Sequence, residues 1–125
     1  DLNILYPVKS LANSSRNNLH FSNVTAINSQ PCAPSKRGLA KDGNSNEVFE
    51  PPTEHKGNVA RAIFYFAVRY KMAVPKGEED TLRQWHHQDP PDQAERKRND
   101  IVLARQGDRN PFIDHPELID LISEF

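Results

Sequence analysis

The feature that most constrains this 125-residue chain is the stretch from Lys56 to Lys71, where Val59, Ala60, Ile63, Phe64, Phe66, Ala67 and Tyr70 recur without a proline. Apolar residues on that many faces make a central, buried helix, so the rest of the chain must be arranged to cover it. Pro51-Pro52 stops the extended chain before it, and Thr53 stands where an N-cap is wanted. With apolar residues at only 36% of the sequence, this one helix supplies much of any core, and the length supports one modest domain, 1–125.

Further helices follow with readable punctuation. Gly77-Glu78-Glu79-Asp80 places acids at the start of a helix carrying Leu82 and Trp85, and His86-His87 lie at its end, each sign suiting the helix dipole. Asp89-Pro90-Pro91 ends it. Asp92 then caps a helix running to about Gln106, with Gly107 positioned for a left-handed C-terminal residue. Asp114-His115-Pro116 opens a last turn or two through Leu118, Ile119, Leu121 and Ile122.

The first fifty residues differ in composition. Residues 1–30 are rich in Asn and Ser, with strand-like islands at Ile4-Leu5-Tyr6 and Val24-Thr25-Ala26-Ile27, and a short helix is expected over Lys9 to Asn17. Residues 31–50 carry the punctuated run PCAPSKRGLAKDGNSN, a loop or wide hairpin closing onto Glu47-Val48-Phe49, and residues 51–125 form the helical part. The expected class is therefore α+β, predominantly helical.

Sixteen Lys and Arg balance seventeen Asp and Glu, so no global basic field exists and any nucleic-acid contact must be local. Arg96-Lys97-Arg98, Arg105 and Lys36-Arg37 could line a phosphate-binding face, with Glu95 and Asp100 as ordinary helical partners of Arg98 and Arg96. Arg61 and Arg69 lie on the otherwise apolar helix, where an arginine is either paired with an acid or used. No pair of histidines has the helical spacing of a zinc site, His20 reads as a surface or loop residue, and the single Cys32 excludes an internal disulfide. No apolar run approaches the ~20 residues that cross a bilayer. Asn13 and Arg16, three apart, share one helical face, a neutral oxygen donor beside a fixed cation that suits a hard ion.

Several separated strings coincide with one family. Asp1-Leu2-x-x-Leu5-Tyr6-Pro7 followed by Ala12-Asn13-Ser14-x-Arg16-Asn17-Asn18-Leu19-x-Phe21 resembles the central motif of bacterial endonuclease I, a member of the His-Me finger (ββα-metal) nucleases. Phe49-Glu50-Pro51-Pro52 leading into Lys56-Gly57-x-Val59-Ala60-Arg61, then Trp85, Asp89-Pro90, Glu95-x-x-Arg98-Asn99 and Gln106-Gly107-x-Arg109-Asn110-Pro111-Phe112, continue the resemblance in family order.

The resemblance implies an endonuclease I-like fold with part of a ββα-metal finger, and a secreted or periplasmic enzyme that hydrolyses phosphodiester bonds in DNA, and often RNA, without sequence specificity. It implies Mg²⁺ or another divalent cation, with Asn13 as a metal ligand. It also implies that the general-base His and a Glu ligand come from an N-terminal segment ahead of Asp1, so no general base is identified in this chain. The first residue, Asp rather than Met, reads as a processed product. Arg16, Arg61, Arg69, Arg96, Lys97 and Arg98 are the candidate nucleic-acid contacts. The alternative is a module that keeps the fold and binds nucleic acid or a partner without catalysis. Where the family has Lys-Gly-Asp this chain has Asn58, which removes one carboxylate from beside Lys56 and Arg61.

Overall fold

The computed structural model describes residues 1–4, 19–29, 33–40 and 47–125. A four-stranded sheet comprises β1 (His20–Phe21), β2 (Ala26–Ser29), β3 (Lys36–Leu39) and β4 (Glu47–Glu50), in the order β1-β4-β3-β2. β3 pairs antiparallel with both neighbours, Lys36 facing Glu50 and Arg37 facing Phe49 across the β3–β4 pair. β1 joins β4 in parallel, His20 facing Val48. The expected island at Val24–Ile27 forms a strand two residues later, and the helix expected over Lys9–Asn17 lies outside the described residues.

The helical body comprises α1 (Lys56–Tyr70), α2 (Lys76–Gln88), α3 (Gln93–Gln106) and the short helices α4 (Pro111–Asp114) and α5 (Leu118–Leu121). α1 is the central helix, burying Ala60, Phe64 and Tyr65 against Leu82 and Trp85 of α2 and against Phe112 and Ile119. Phe125 stacks on Phe64 with ring centroids 4.1 Å apart, and Arg83 donates to the carbonyls of Ile119 and Ile122, which straps the C-terminal segment over this core. Phe21 meets Trp85 edge-on and Trp85 Nε1 donates to Asn23 Oδ1, joining sheet to helices. The fold is thus mixed, with a small sheet set against a dominant helical part.

Two of the expected helix ends form as read. Asp92 Oδ1 accepts from Glu95 N at 2.8 Å, and Gly107 takes φ 89°, a left-handed conformation that glycine adopts without steric cost. Thr53 does not cap α1. It opens a 3₁₀ turn, Thr53–His55, because Pro52 holds the chain extended one residue earlier, and the backbone of Thr53 accepts the bond from Lys56 N. α4 was not anticipated: Asn110 supplies its cap, Oδ1 accepting from Phe112 N at 2.9 Å, with Pro111 at its first position.

Candidate active site

Asn13 and Arg16 lie outside the described residues, so the site is built from what flanks them. On one side, Asp1 is fixed by four donors. Its Oδ2 accepts from the hydroxyls of Tyr65 and Tyr70 at 3.0 and 3.1 Å, and its Oδ1 accepts from Asn3 N and Gln106 Nε2. Leu2 N donates to Gln106 Oε1, Arg98 donates to the Leu2 carbonyl, and Asn3 Nδ2 donates to Asp108. The Asp-Leu motif is therefore clamped between the C-terminal ends of α1 and α3. Charge-assisted bonds to a carboxylate are the stronger kind, which suits a segment that must hold position.

On the other side, the chain re-enters at β1. His20 Nδ1 lies 2.7 Å from Glu78 Oε2 on α2, and Phe21 N donates to Glu78 Oε1. Behind β1, buried Glu50 accepts from Val24 N at 2.7 Å and faces the Lys56 ammonium at 3.2 Å, with Lys36 at 3.7 Å. Lys56 also lies over the Trp85 ring. Asn58 Oδ1 accepts from Arg61 Nη2, and Lys56 pairs with Glu50.

Arg61 corrects one expectation. It is fully buried, and each of its five N–H donors has an acceptor. Nε and Nη2 hold the two oxygens of Glu95 at 2.9 and 2.7 Å, Nη2 also reaches Asn58 Oδ1, and Nη1 serves the Asp89 carbonyl and His86 Nδ1. A guanidinium with no exposed surface cannot touch a phosphate, so Arg61 belongs to the scaffold. Glu95 accordingly turns inward rather than pairing with Arg98, and Asp100 pairs with Arg109 rather than Arg96. Gly57 is required here: a Cβ would stand 1.8 Å from the Asp89 carbonyl oxygen, while its own N–H donates to Asp89 Oδ2.

His86 completes this cluster. Its Nδ1 faces Arg61 and its Nε2 faces the Pro116 carbonyl at 3.2 Å, an arrangement satisfied by the neutral ring with the proton on Nε2. Burial, then the Arg61 charge, lower its pKa to about 4. Desolvation likewise lowers His55, opposed by Asp89 and Glu54. Asp114 is held low by its hydrogen bonds from Arg109.

The remaining basic candidates are surface residues. Arg96 and Lys97 are exposed on α3, Arg69 is exposed on α1 over the Tyr70 ring, and Arg98 is half-buried against the Leu2 carbonyl. Among the described residues no group of three His, Cys, Asp or Glu side chains could hold a metal ion. The roles of Asp1, Glu50 and Glu78 escaped sequence reasoning; the only signal for them was their place inside the family strings or at a helix start.

The chain is 39% identical to an extracellular ribonuclease of Bacillus subtilis, over 98% of this chain and 46% of the relative. It is 29% identical to an extracellular deoxyribonuclease of Aeromonas hydrophila, over 91% and 48%, and 26% identical to Endonuclease-1 of Buchnera aphidicola, over 90% and 45%. The chain spans about half the length of the curated relatives it matches. With the Endonuclease I family model matching residues 1–117, the chain belongs to the endonuclease I family.

Proposed function

We propose that the protein is a divalent-metal-dependent endonuclease that hydrolyses phosphodiester bonds in DNA and RNA without sequence specificity, in the extracellular or periplasmic space. The observation that carries this reading is the family match across 1–117, together with relatives named as an extracellular ribonuclease and an extracellular deoxyribonuclease. A substrate range covering both follows from contacts made to phosphates, which carry no base information.

Asn13 is the residue of this chain assigned to the metal, through its side-chain oxygen, a hard donor of the kind Mg²⁺ accepts. When bound, the ion would neutralise charge at the scissile phosphate. No general base is assigned among the residues of this chain. Arg16, Arg69, Arg96 and Lys97 bind phosphates, with Arg98 fixing the Asp1–Leu2 segment beside them. The Asp1 carboxylate, gripped by Tyr65, Tyr70 and Gln106, holds the entry to the finger against the helical body.

Plasmid nicking and RNA hydrolysis test the reading, using the full natural protein. Activity should require a divalent ion, stop with EDTA, and fall by at least about a hundredfold in Asn13→Ala. Salt-sensitive binding without cleavage under every ion tried would instead identify a non-catalytic binding module. Full activity in Asn13→Ala would remove that residue from the metal site.

A further inference from the structure

We propose that Asp1, Asp108 and Asn3 form a cation site, separate from the metal assigned to Asn13, that takes Ca²⁺ and fastens the Asp1–Asn3 segment to the end of α3. The site does not depend on the nuclease reading above.

The side chains of Asp1 and Asp108 meet at one nitrogen. Gln106 Nε2 donates to Asp1 Oδ1 at 2.7 Å and to Asp108 Oδ1 at 2.6 Å. Asn3 bridges the same two groups, its backbone N donating to Asp1 Oδ1 and its Nδ2 to Asp108 Oδ1, each at 2.9 Å. Tyr65 and Tyr70 complete the donors on Asp1. All of these donors are neutral, so among the described residues two carboxylates share one hydrogen-bond network with no lysine or arginine between them. Like charges brought that close favour an added cation.

Two acids alone would not make a site. The observation that points to a ligand is Asn3 Oδ1. Asn3 is 1% exposed, and this oxygen is buried without a hydrogen-bond partner. The large majority of buried side-chain polar atoms have one. The oxygen belongs to the carboxamide whose Nδ2 touches Asp108, so it lies one amide width from that carboxylate. An enclosed water would satisfy the oxygen and leave the two carboxylates uncompensated, whereas a cation answers both.

Distance selects the ion. Ca²⁺ takes carboxylate and amide oxygens at about 2.3–2.6 Å, accepts irregular geometry and fills its remaining positions with water. Gln106 Nε2 already stands near that distance from both carboxylates, so an ion can take the place of its two hydrogens with little movement of Asp1 or Asp108. Mg²⁺ would demand about 2.0–2.1 Å and a near-ideal octahedron. Asp108 and Gln106 are half-buried, which leaves a side open for entry and for water. Two carboxylates and one amide make a weak site, with a Kd of about 10⁻⁴–10⁻³ M.

The full natural protein carrying Asn13→Ala separates this ion from the other. Its melting temperature should rise by several degrees in about 10 mM Ca²⁺. It should also bind Tb³⁺, a luminescent stand-in for Ca²⁺, and emit on tyrosine excitation, because the Tyr65 and Tyr70 hydroxyls lie 3.0 and 3.1 Å from Asp1 Oδ2. Ca²⁺ should displace the Tb³⁺. Asp108→Asn, which keeps an acceptor for Asn3 and Gln106, should weaken Ca²⁺ at least about tenfold. Gln106→Glu, which sets a third carboxylate at the same point, should lower the melting temperature without Ca²⁺ and bind the ion at least about tenfold more tightly. No saturable Ca²⁺ effect in Asn13→Ala, or equal affinity in Asp108→Asn, would overturn the proposal. Ca²⁺ binding in Asn13→Ala with no hydrolysis by the parent protein would fail the nuclease reading and leave this site standing. Hydrolysis by the parent with no Ca²⁺ binding in Asn13→Ala would do the reverse.

Discussion

Replacing Glu95 by alanine should be among the most damaging single changes in the chain. Glu95 and Arg61 are both fully buried at their side chains, and the carboxylate takes two of the five guanidinium donors. Removing it strands those two N–H groups, each costing about 1–3 kcal/mol when buried and unpaired. It also leaves a buried charge uncompensated, for which breaking one partner of a pair costs about 3–5 kcal/mol. The two routes describe the same loss and agree at about 4 kcal/mol, a large share of the roughly 5–15 kcal/mol that holds a domain together. Urea unfolding followed by far-ultraviolet circular dichroism measures it, as a lower midpoint at unchanged slope. Arg61→Met combined with Glu95→Leu removes the stranded charge and should be less unstable than Glu95→Ala alone. That recovery should be incomplete, because the Asp89 carbonyl and His86 Nδ1 lose their donor. A loss below about 1 kcal/mol in Glu95→Ala would refute the account of the pair as a buried, desolvated bond.

Acid should weaken the fold through His86. Its folded pKa of about 4 lies below the ordinary 6.5, so the unfolded chain binds the proton first. That contribution is full above pH 6.5 and falls by about 3 kcal/mol as the pH drops through 4, and the pH dependence of unfolding should flatten by about this amount in His86→Gln. Gly57→Ala should cost about 2–3 kcal/mol, read as a lowered melting temperature, since its methyl group meets the Asp89 backbone rather than a side chain that can move. Arg96→Ala with Lys97→Ala should leave urea stability within about 0.5 kcal/mol. The same double substitution should weaken nucleic-acid binding and flatten its salt dependence by about one unit for each phosphate no longer neutralised; unchanged salt dependence would take α3 out of the interface.

Local pattern sufficed where the deciding interactions are local. The run of apolar residues in α1 identified the central helix, the Asp92 cap and Gly107 bounded α3, and the acids of Gly77–Asp80 marked the start of α2. It failed where the partner is distant in sequence. Glu95 has Arg98 one turn away, yet its burial decides for Arg61, thirty-four residues back. The parallel pairing of β1 with β4 joins a two-residue and a four-residue strand with β2 and β3 between them in sequence, and no periodicity betrays it. Asn13 and Arg16, read from their spacing and again from the family string, lie outside the described residues, and Glu78, which contacts His20 and Phe21, looked like an ordinary acid in a first helical turn.

The four-donor grip on Asp1 also orders events in time. The Asp1–Gln106 bond closes a loop of 105 residues, while the Tyr65 and Tyr70 hydroxyls that share the carboxylate sit on a helix already packed by nearer neighbours. Closing so long a loop carries an entropic cost that interactions within α1, α2 and α3 do not bear, so those helices can assemble first and the opening segment docks onto a finished surface. A partly unfolded chain with its three long helices already packed would thus still leave Asp1 and Leu2 undocked.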